Sequence, residues 1–368
     1  MGIRFEYGAR KATNGPMIFF SDPVSEVNLQ EEIRGAIESR LCFYAYRLPG
    51  DMMVSFGSSE GAVEGIHGPG FVIAPFLPED KPYTIPYAPT PRNNAREEYP
   101  FPERSTTKEE YTAEVADIRR EIGGHEDRKI VAARVKTQPN SIDVAATFML
   151  LLNKYPEAYV FCFSTPQTGC WIGASPELLL SGKSGVFSTM ALAGTRKALS
   201  SGPWDQKNLK EQKMVADYII STMQDFGLEV EVGETVTRNA GNVEHLCTPI
   251  KAYSSTAKPD AAEISTLLHS LSPTPATAGV PRARALDIIT SSEHFQRAFY
   301  GGFCGPYRNS DEFTFSVMLR CARVESGRAA LFAGGGITAF SEPEKEWEET
   351  DLKLATLGGL LIEETTIN

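Results

Sequence analysis

The chain has 368 residues, of which 42% are hydrophobic and 10% aromatic, and this composition is typical of a globular protein with a substantial core. It carries 36 basic and 47 acidic residues, a net charge of −11, and it has no run rich in Lys or Arg. Nucleic acid and anionic membrane surfaces are therefore poor candidate partners. An anionic substrate would need local positive groups or a bound cation.

No apolar run is long enough to span a bilayer, and the first residues, Met1–Tyr7, contain no signal-peptide core. The six cysteines include no CxxC pair, so we expect reduced, scattered core thiols without structural zinc or disulfides. These features predict a cytoplasmic protein.

Eight prolines fall within residues 75–102 and predict an extended, largely unpaired connection. This connection could be a linker between domains or a surface crossover within one domain. Residues 1–74 are few and glycine-rich for an independent core, which favours the crossover and a single domain over 1–368.

Beyond this connection, Thr107 is expected to cap a helix whose apolar stripe is Tyr111, Val115, Ile118 and Ile122. Further strands are predicted at 129–135, 159–163, 170–173, 177–180, 299–307, 312–324 and 328–333, and further helices at 141–155, 207–226, 260–271 and 281–291. The last strands form a meander with short turns. Hairpin-linked strands imply antiparallel sheets, so the predicted fold class is α+β rather than doubly wound α/β.

The carboxyl-terminal segment has a strand that runs into three glycines, Gly334–Gly336, where a ligand can approach the backbone closely. A helix is predicted to follow, with Ser341 and Glu344 as a capping box and Pro343 in the first turn.

On that helix Glu346, Glu349 and Lys353 fall at i, i+3 and i+7 and share one face. Such a face beside bare glycines could hold a divalent metal and an anionic substrate. The alternative is an ordinary solvated face with a Glu349–Lys353 surface pair, and the local pattern alone favours this alternative.

Glu211 lies on the apolar stripe of the helix predicted at 207–226, a stripe that continues through Met214, Val215, Tyr218 and Thr222. A carboxylate in this position is costly unless it is paired or bound to metal. Alternatively, Glu211 lies one turn before the core begins and stays hydrated. With Glu346 and Glu349 it would form an all-oxygen site suited to Mg²⁺ rather than zinc.

Glu177 lies between a turn and an apolar run, where a low dielectric raises the pKa of a carboxyl group, as a general acid requires. It could instead be an edge-strand charge that opposes aggregation. Arg320 is predicted to lie on the polar face of an interior strand, where a carboxylate partner would suit it. Lys129, at the start of its strand, has the pattern of an ordinary strand-end lysine.

Six blocks occur in the order that they have in one enzyme family: 173–179 (GASPELL), 191–196 (ALAGTR), 273–276 (PTPA), 299–305 (FYGGFCG), 319–322 (LRCA) and the glycine-helix segment 333–353. In these blocks the chain resembles the chorismate-utilising enzymes, and the resemblance covers about residues 105–365. The lysine that opens 129–134 and the Pro-Thr-Pro segment resemble the isochorismate synthase branch, whereas ammonia-adding members usually differ at the latter position.

The resemblance implies large antiparallel sheets packed as a sandwich with helices outside. It also implies Mg²⁺-dependent conversion of chorismate to isochorismate, in which Lys129 activates water to attack C2 and Glu177 protonates the departing C4 hydroxyl. The implied metal ligands are Glu211, Glu346 and Glu349. The implied substrate-binding residues are Gly194, Thr195, His245, Tyr300, Arg320, Gly334, Gly336 and Lys353.

Two positions depart from the family pattern: Ser272 stands where a histidine is common, and Asn208 stands where an acid is common. Either change could alter metal affinity or rate. Salicylate synthase, an ammonia-adding aminodeoxychorismate or anthranilate-type synthase, and a catalytically dead binding protein remain alternatives. The resemblance fits menaquinone and siderophore biosynthesis equally, and no glutaminase subunit is expected.

Overall fold

The computed structural model describes residues 4–5, 26–92, 99–254 and 259–364. Within these residues the helices are α1 (Glu26–Glu38), α2 (Lys108–Ile122), α3 (Val144–Lys154), α4 (Gln206–Asp225), α5 (Ala261–Leu271), α6 (Arg282–Ser292) and α7 (Pro343–Gly358). The strands are β1 (Arg4–Phe5), β2 (Cys42–Arg47), β3 (Met53–Ser59), β4 (Val63–Glu64), β5 (Gly70–Ala74), β6 (Tyr83–Pro86), β7 (Lys129–Gln138), β8 (Tyr159–Thr165), β9 (Gly169–Ser175), β10 (Leu178–Lys183), β11 (Val186–Lys197), β12 (Leu228–Val232), β13 (Val236–Ala240), β14 (Val243–Ser254), β15 (Gly279–Val280), β16 (Phe303–Asn309), β17 (Glu312–Val317), β18 (Cys321–Glu325) and β19 (Arg328–Ile337).

The strands form two large sheets. One has nine strands in the order β1-β3-β2-β8-β9-β18-β19-β7-β15, and the other has ten, in the order β12-β14-β11-β10-β17-β16-β5-β6-β4 with β13 paired to β14. Every strand pair except β1–β3 is antiparallel among the described residues. The predicted α+β class is confirmed.

The sheets pack face to face over a core rich in aromatic side chains that come from both of them. Phe71 of the ten-stranded sheet, for example, stacks on Tyr44 of the nine-stranded sheet with ring centroids 4.9 Å apart. Helices α1, α3 and α7 pack on the other face of the nine-stranded sheet, and α4 and α5 pack on that of the ten-stranded sheet. The structure is therefore a sandwich with helices outside, as expected.

The amino-terminal strands belong to both sheets, since β2 and β3 join one and β5 and β6 join the other. Residues 93–98 of the proline-rich connection, and most of the segment in which we found no signal-peptide core, lie outside the described residues. No helix in the described part of the chain combines the length and apolarity needed to cross a membrane. All six cysteines are free thiols, and all except Cys170 are buried.

Helix α2 shows why local signals suffice for some elements. Thr107 is the N-cap, as predicted, and forms a capping box with Glu110, while Gly123 ends the helix in the left-handed conformation. The four predicted stripe residues are all buried. Tyr111 of this stripe meets Trp347 edge to face, so α2 supports α7.

The predicted strand at 312–324 is wrong as a single element. It comprises β17 in the ten-stranded sheet and β18 in the nine-stranded sheet, and the chain crosses between the sheets at residues 318–320. Arg320 therefore does not lie within a strand. Its φ of 48° is left-handed, a conformation that side chains rarely adopt outside tight constraints.

The glycines and the start of α7 also differ from expectation. Strand β19 continues through Gly334–Gly336 to Ile337 rather than ending before them. Glu342 is the N-cap of α7 and makes no side-chain cap bond. The Ser341 hydroxyl instead accepts a hydrogen bond from the Thr338 amide at 3.0 Å. The predicted capping box is therefore wrong, although Pro343 does open the helix.

Helix α4 begins close to its predicted start, but its buried face is rotated from the predicted stripe. Glu211, Val215, Ile219 and Met223 are buried at regular i, i+4 spacing, whereas the predicted stripe members Met214, Tyr218 and Thr222 remain partly exposed. Glu211 thus begins the buried face instead of preceding it, and the hydrated alternative does not hold.

Candidate active site

A cavity of about 600 Å³, part of it open to solvent, lies where β7, β11, β14, β19, α4 and α7 converge. It is lined by every predicted site residue except two: Lys129, Glu177, Gly194, Thr195, Glu211, His245, Tyr300, Arg320, Gly334, Gly336 and Lys353. The exceptions, Glu346 and Glu349, lie on α7, which also carries Lys353.

Lys129 and Glu211 form a buried ion pair at this cavity. Nζ of Lys129 lies 2.8 Å from Oε1 of Glu211, and the Lys129 side chain is only 1% exposed. Gly336 makes this pair possible, because a Cβ atom there would lie 2.3 Å from Glu211 Oε1 and 2.6 Å from Lys129 Cε. The space beside this glycine is thus filled by the protein's own charged groups.

Glu177 is 2% exposed and precedes β10. Burial raises the pKa of Glu177 to about 8, although the positive charge of Lys129 and a hydrogen bond from Thr274 both act in the opposite direction. At neutral pH the carboxyl group is therefore mostly protonated and able to donate a proton. Its burial also rules out the edge-strand interpretation.

Two acidic side chains of α7, those of Glu346 and Glu349, face the interior. Glu346 is 1% exposed, and the Glu349 side chain, 19% exposed, pairs with Lys353 at 2.7 Å. Lys353 also donates to the Gly334 carbonyl at 2.8 Å. Burial would raise the pKa of Glu349, but the ammonium groups of Lys353 and Lys207 outweigh it and hold the pKa at about 2. The solvated-face alternative does not hold.

Lys207 is a site residue that the sequence reasoning missed. It lies in the first turn of α4 and forms a salt bridge with Glu346. Its i, i+4 spacing from Glu211 was the available signal, since such pairs share a helix face. Burial, followed by the electrostatic effects of Glu346, Glu349 and Glu211, shifts the pKa of Lys207, and the carboxylates prevail and raise it above its ordinary value.

The three predicted metal ligands, Glu211, Glu346 and Glu349, are here called the carboxylate cluster. Each has its own lysine partner. Among the described residues, no three His, Cys, Asp or Glu side chains are grouped so as to hold a metal ion. The donor set nonetheless suits a hard cation, and Oε2 of Glu346 is buried without a hydrogen-bond partner.

A second group of side chains surrounds Arg320, which is 7% exposed. Its guanidinium lies 2.9 Å from Nε2 of His245, whose Nδ1 lies 2.8 Å from the Gly194 carbonyl. Because a carbonyl only accepts and a guanidinium only donates, Nδ1 carries the proton and Nε2 accepts. Burial, reinforced by the charges of Arg320 and Lys353, lowers the pKa of His245 to about 3, so the ring is neutral.

Asn208, which stands where the family commonly has an acid, has a structural role. Its Oδ1 accepts the Thr195 amide at 2.8 Å, and its Nδ2 donates to both carboxylate oxygens of Asp205 at 3.0 and 2.9 Å. Asn208 therefore positions Thr195 and lies outside the carboxylate cluster. Ser272, the other departure, is the C-cap of α5 and does not line the cavity.

The remaining lining residues are mostly apolar and gave no chemical signal in the sequence: Val131, Pro176, Leu192, Ala193, Ala276, Thr277, Leu319, Phe332 and Ala333. They provide the low-dielectric wall that keeps the Glu177 carboxyl protonated.

Comparison with known families identifies the class of protein. The family model for chorismate binding enzymes matches residues 84–362, which is most of the chain. The chain belongs to the chorismate-binding enzyme family.

The curated proteins to which the chain is similar include isochorismate synthases. The chain is 31% identical over 262 residues to the salicylate biosynthesis isochorismate synthase of Pseudomonas aeruginosa, an alignment covering 68% of this chain and 54% of that protein. It is 33% identical over 249 residues to isochorismate synthase MenF of Bacillus subtilis, covering 63% and 52%. The chain thus spans about half the length of these curated relatives.

Solved structures support the fold. A putative 2,3-dihydroxybenzoate-specific isochorismate synthase from Bacillus anthracis superposes with a TM-score of 0.74 at 22% identity, over 90% of this chain and 99% of that one. The menaquinone-specific isochorismate synthase of Escherichia coli gives a TM-score of 0.73 at 21% identity, over 87% and 88%.

Proposed function

We propose that this protein is an isochorismate synthase that converts chorismate to isochorismate by adding water at C2 with loss of the C4 hydroxyl. The observation that carries the proposal is that one cavity holds both Lys129 and a buried Glu177 whose pKa is raised by burial to about 8. An amine and a neutral carboxyl group are the base and the acid that this reaction needs. The names of the relatives agree with it.

In this reaction Lys129 takes a proton from water as the oxygen forms its bond to C2. Both ring double bonds shift, the C4–oxygen bond breaks, and Glu177 gives its proton to the departing hydroxyl, which leaves as water. Substrate and product are isomers, so atoms balance without a co-reactant. Lys129 ends protonated and Glu177 ionised, and a proton exchange resets both before the next cycle.

Lys129 must be neutral when it acts as a base. In the ion pair with Glu211, Nζ of Lys129 lies 2.8 Å from Oε1, so this contact occupies the nitrogen that would take the proton. The catalytic state therefore requires that Glu211 be withdrawn from Lys129 or neutralised. A cation bound by the carboxylate cluster would neutralise Glu211 in this way, because Glu211 is one of its three members.

We assign the carboxylate cluster as the ligands of Mg²⁺, which would neutralise the ring carboxylate of chorismate when bound. The chain's own residues bind the rest of the substrate. Arg320, fixed by neutral His245, offers its guanidinium to the enolpyruvyl carboxylate together with the Tyr300 hydroxyl. Lys353 and the backbone at Gly194, Thr195, Gly334 and Gly336 complete the pocket.

The proposal extends to a single domain, a cytoplasmic location, and action on a small molecule without a glutaminase subunit or nucleic acid. Product analysis tests the central claim. Purified protein, chorismate and Mg²⁺ should give isochorismate as the main product by chromatography and mass spectrometry. Salicylate with pyruvate would show a salicylate synthase, an amine formed with ammonium salts would show an ammonia-adding synthase, and no turnover would favour a binding protein.

A further inference from the structure

The carboxylate cluster is neutralised one to one by lysines, and these lysines differ in how exposed they are to solvent. Lys129 pairs with Glu211, Lys207 with Glu346, and Lys353 with Glu349. The paired lysine side chains are 1%, 22% and 13% exposed, respectively. Lys207 is therefore the most exposed of the three.

Lys207 also acts on all three members of the carboxylate cluster. Its ammonium group bonds Glu346 and interacts electrostatically with both Glu349 and Glu211. One positive group therefore offsets part of the negative charge of each carboxylate. The other two lysines also act on other groups, since Lys129 affects Glu177 electrostatically and Lys353 donates a hydrogen bond to the Gly334 carbonyl.

We propose that Lys207 is a resident counter-ion that Mg²⁺ displaces, so that metal binding is an exchange of an ammonium group for a divalent cation. This inference rests on the proposed function, because it assigns the cluster to Mg²⁺. Without either cation, Glu346 and Glu349 would repel each other in a buried setting. Lys207 thus stabilises the metal-free fold and weakens metal binding.

Displacement is physically accessible because Lys207 lies in the first turn of α4 and its partly exposed side chain has a route to water. Glu346 keeps one buried oxygen, Oε2, without a hydrogen-bond partner. That atom and the Oε1 freed by Lys207 would then both be available to a cation.

The test compares Mg²⁺ binding to the wild type, Lys207→Gln and the matched control Lys210→Gln, by calorimetry without substrate. Lys210 lies on the same helix but pairs with exposed Glu126 outside the cluster. The Lys207 ammonium group is salt-bridged to Glu346 and competes with the metal there. Its removal in Lys207→Gln should lower the Kd for Mg²⁺ by about tenfold or more. The control should bind as the wild type does.

Thermal unfolding provides a second test of the same proposal. Lys207→Gln should have a lower thermal midpoint than the wild type in EDTA and a larger rise on adding Mg²⁺. If the Gln variant does not fold without metal, Lys207→Met retains the apolar stem and replaces it. A crystal structure with Mn²⁺ should show the metal at the cluster with the Lys207 ammonium moved away from Glu346.

Equal or weaker Mg²⁺ binding by both Lys207 variants would overturn the inference, as would a Mn²⁺ structure that retains the Lys207–Glu346 bond. Absence of Mg²⁺ binding to any variant would overturn it together with the metal assignment. Formation of a product other than isochorismate would contradict the proposed function alone, since the metal titration contains no chorismate.

Discussion

Replacement of Glu177 by glutamine removes one ionisable group from the wall of the cavity and keeps its shape. In the folded protein burial raises the pKa of Glu177 from 4.5 to about 8. The folded state therefore binds this proton more tightly than the unfolded state does. Between these two pH values only the folded state is protonated, so the free energy of unfolding falls as the pH rises.

The magnitude follows from the difference of about 3.5 pH units, at about 1.4 kcal/mol each, which gives an upper value of about 5 kcal/mol. The wild type should lose stability by about 1.4 kcal/mol per pH unit through this group between about pH 5 and pH 8. Glu177→Gln lacks this loss. Its stability relative to the wild type should therefore rise steadily over the same interval.

Urea unfolding in EDTA, without substrate, measures this difference at several pH values from about 5.5 to about 8.5. Exposed Glu60→Gln is the matched control and should run parallel to the wild type. A Glu177→Gln curve that also runs parallel would refute a buried, protonated Glu177. In the same variant turnover should fall by about 10²–10⁴-fold while chorismate still binds, and a near-normal rate would remove Glu177 as the general acid.

Three further substitutions test the rest of the site. Lys129→Ala should abolish isochorismate formation by the product assay, and normal formation would show that another base acts. Gly336→Ala places a methyl group against Lys129 and Glu211, so it should lower the free energy of unfolding by about 1–3 kcal/mol and depress turnover, whereas an unchanged unfolding curve would contradict the tight contact. His245→Phe removes the acceptor that holds Arg320 and should raise KM for chorismate by about tenfold. Because burial lowers the pKa of His245 to about 3, the wild-type rate should show no step from this ring near its ordinary value of 6.5.

Local signals predicted several elements from the sequence, and α2 is the clearest. Its capping box, apolar stripe and terminal glycine are all set by residues within one helix. The break at 318–320 had no such signal. Apolar and polar residues alternate through it without a glycine or proline, and the change of sheet depends on contacts made far along the chain.

The failed capping box at Ser341 shows competition between local partners. A serine hydroxyl can form hydrogen bonds with several nearby backbone groups. Here it accepts a hydrogen bond from the Thr338 amide and donates one to the Gly336 carbonyl at 3.4 Å. The chain just before α7 is therefore turned so that Glu342 becomes the N-cap. Sequence spacing alone cannot decide between these partners.

That the site residues come together in one cavity was predicted from the family resemblance and not from the local sequence pattern. Lys129 had the pattern of an ordinary strand-end lysine, and the glutamates of α7 had that of a solvated face. Their burial arises because β19 and β7 are adjacent strands and α7 packs back on β19. Such long-range packing leaves no periodic trace in either segment.

The three glycines of β19 connect these observations. A Cβ atom at Gly334 would lie 3.1 Å from the Tyr300 hydroxyl, at Gly335 3.0 Å from Glu346 Oε2, and at Gly336 2.3 Å from Glu211 Oε1. Each glycine thus leaves room for a different polar group of the site. Because these groups are charged or hydrogen-bonding and largely buried, their close approach needs compensating partners. Gly335 and Gly336 let Glu346 and Glu211 approach β19 closely, and the paired lysines are the partners that neutralise the carboxylate cluster.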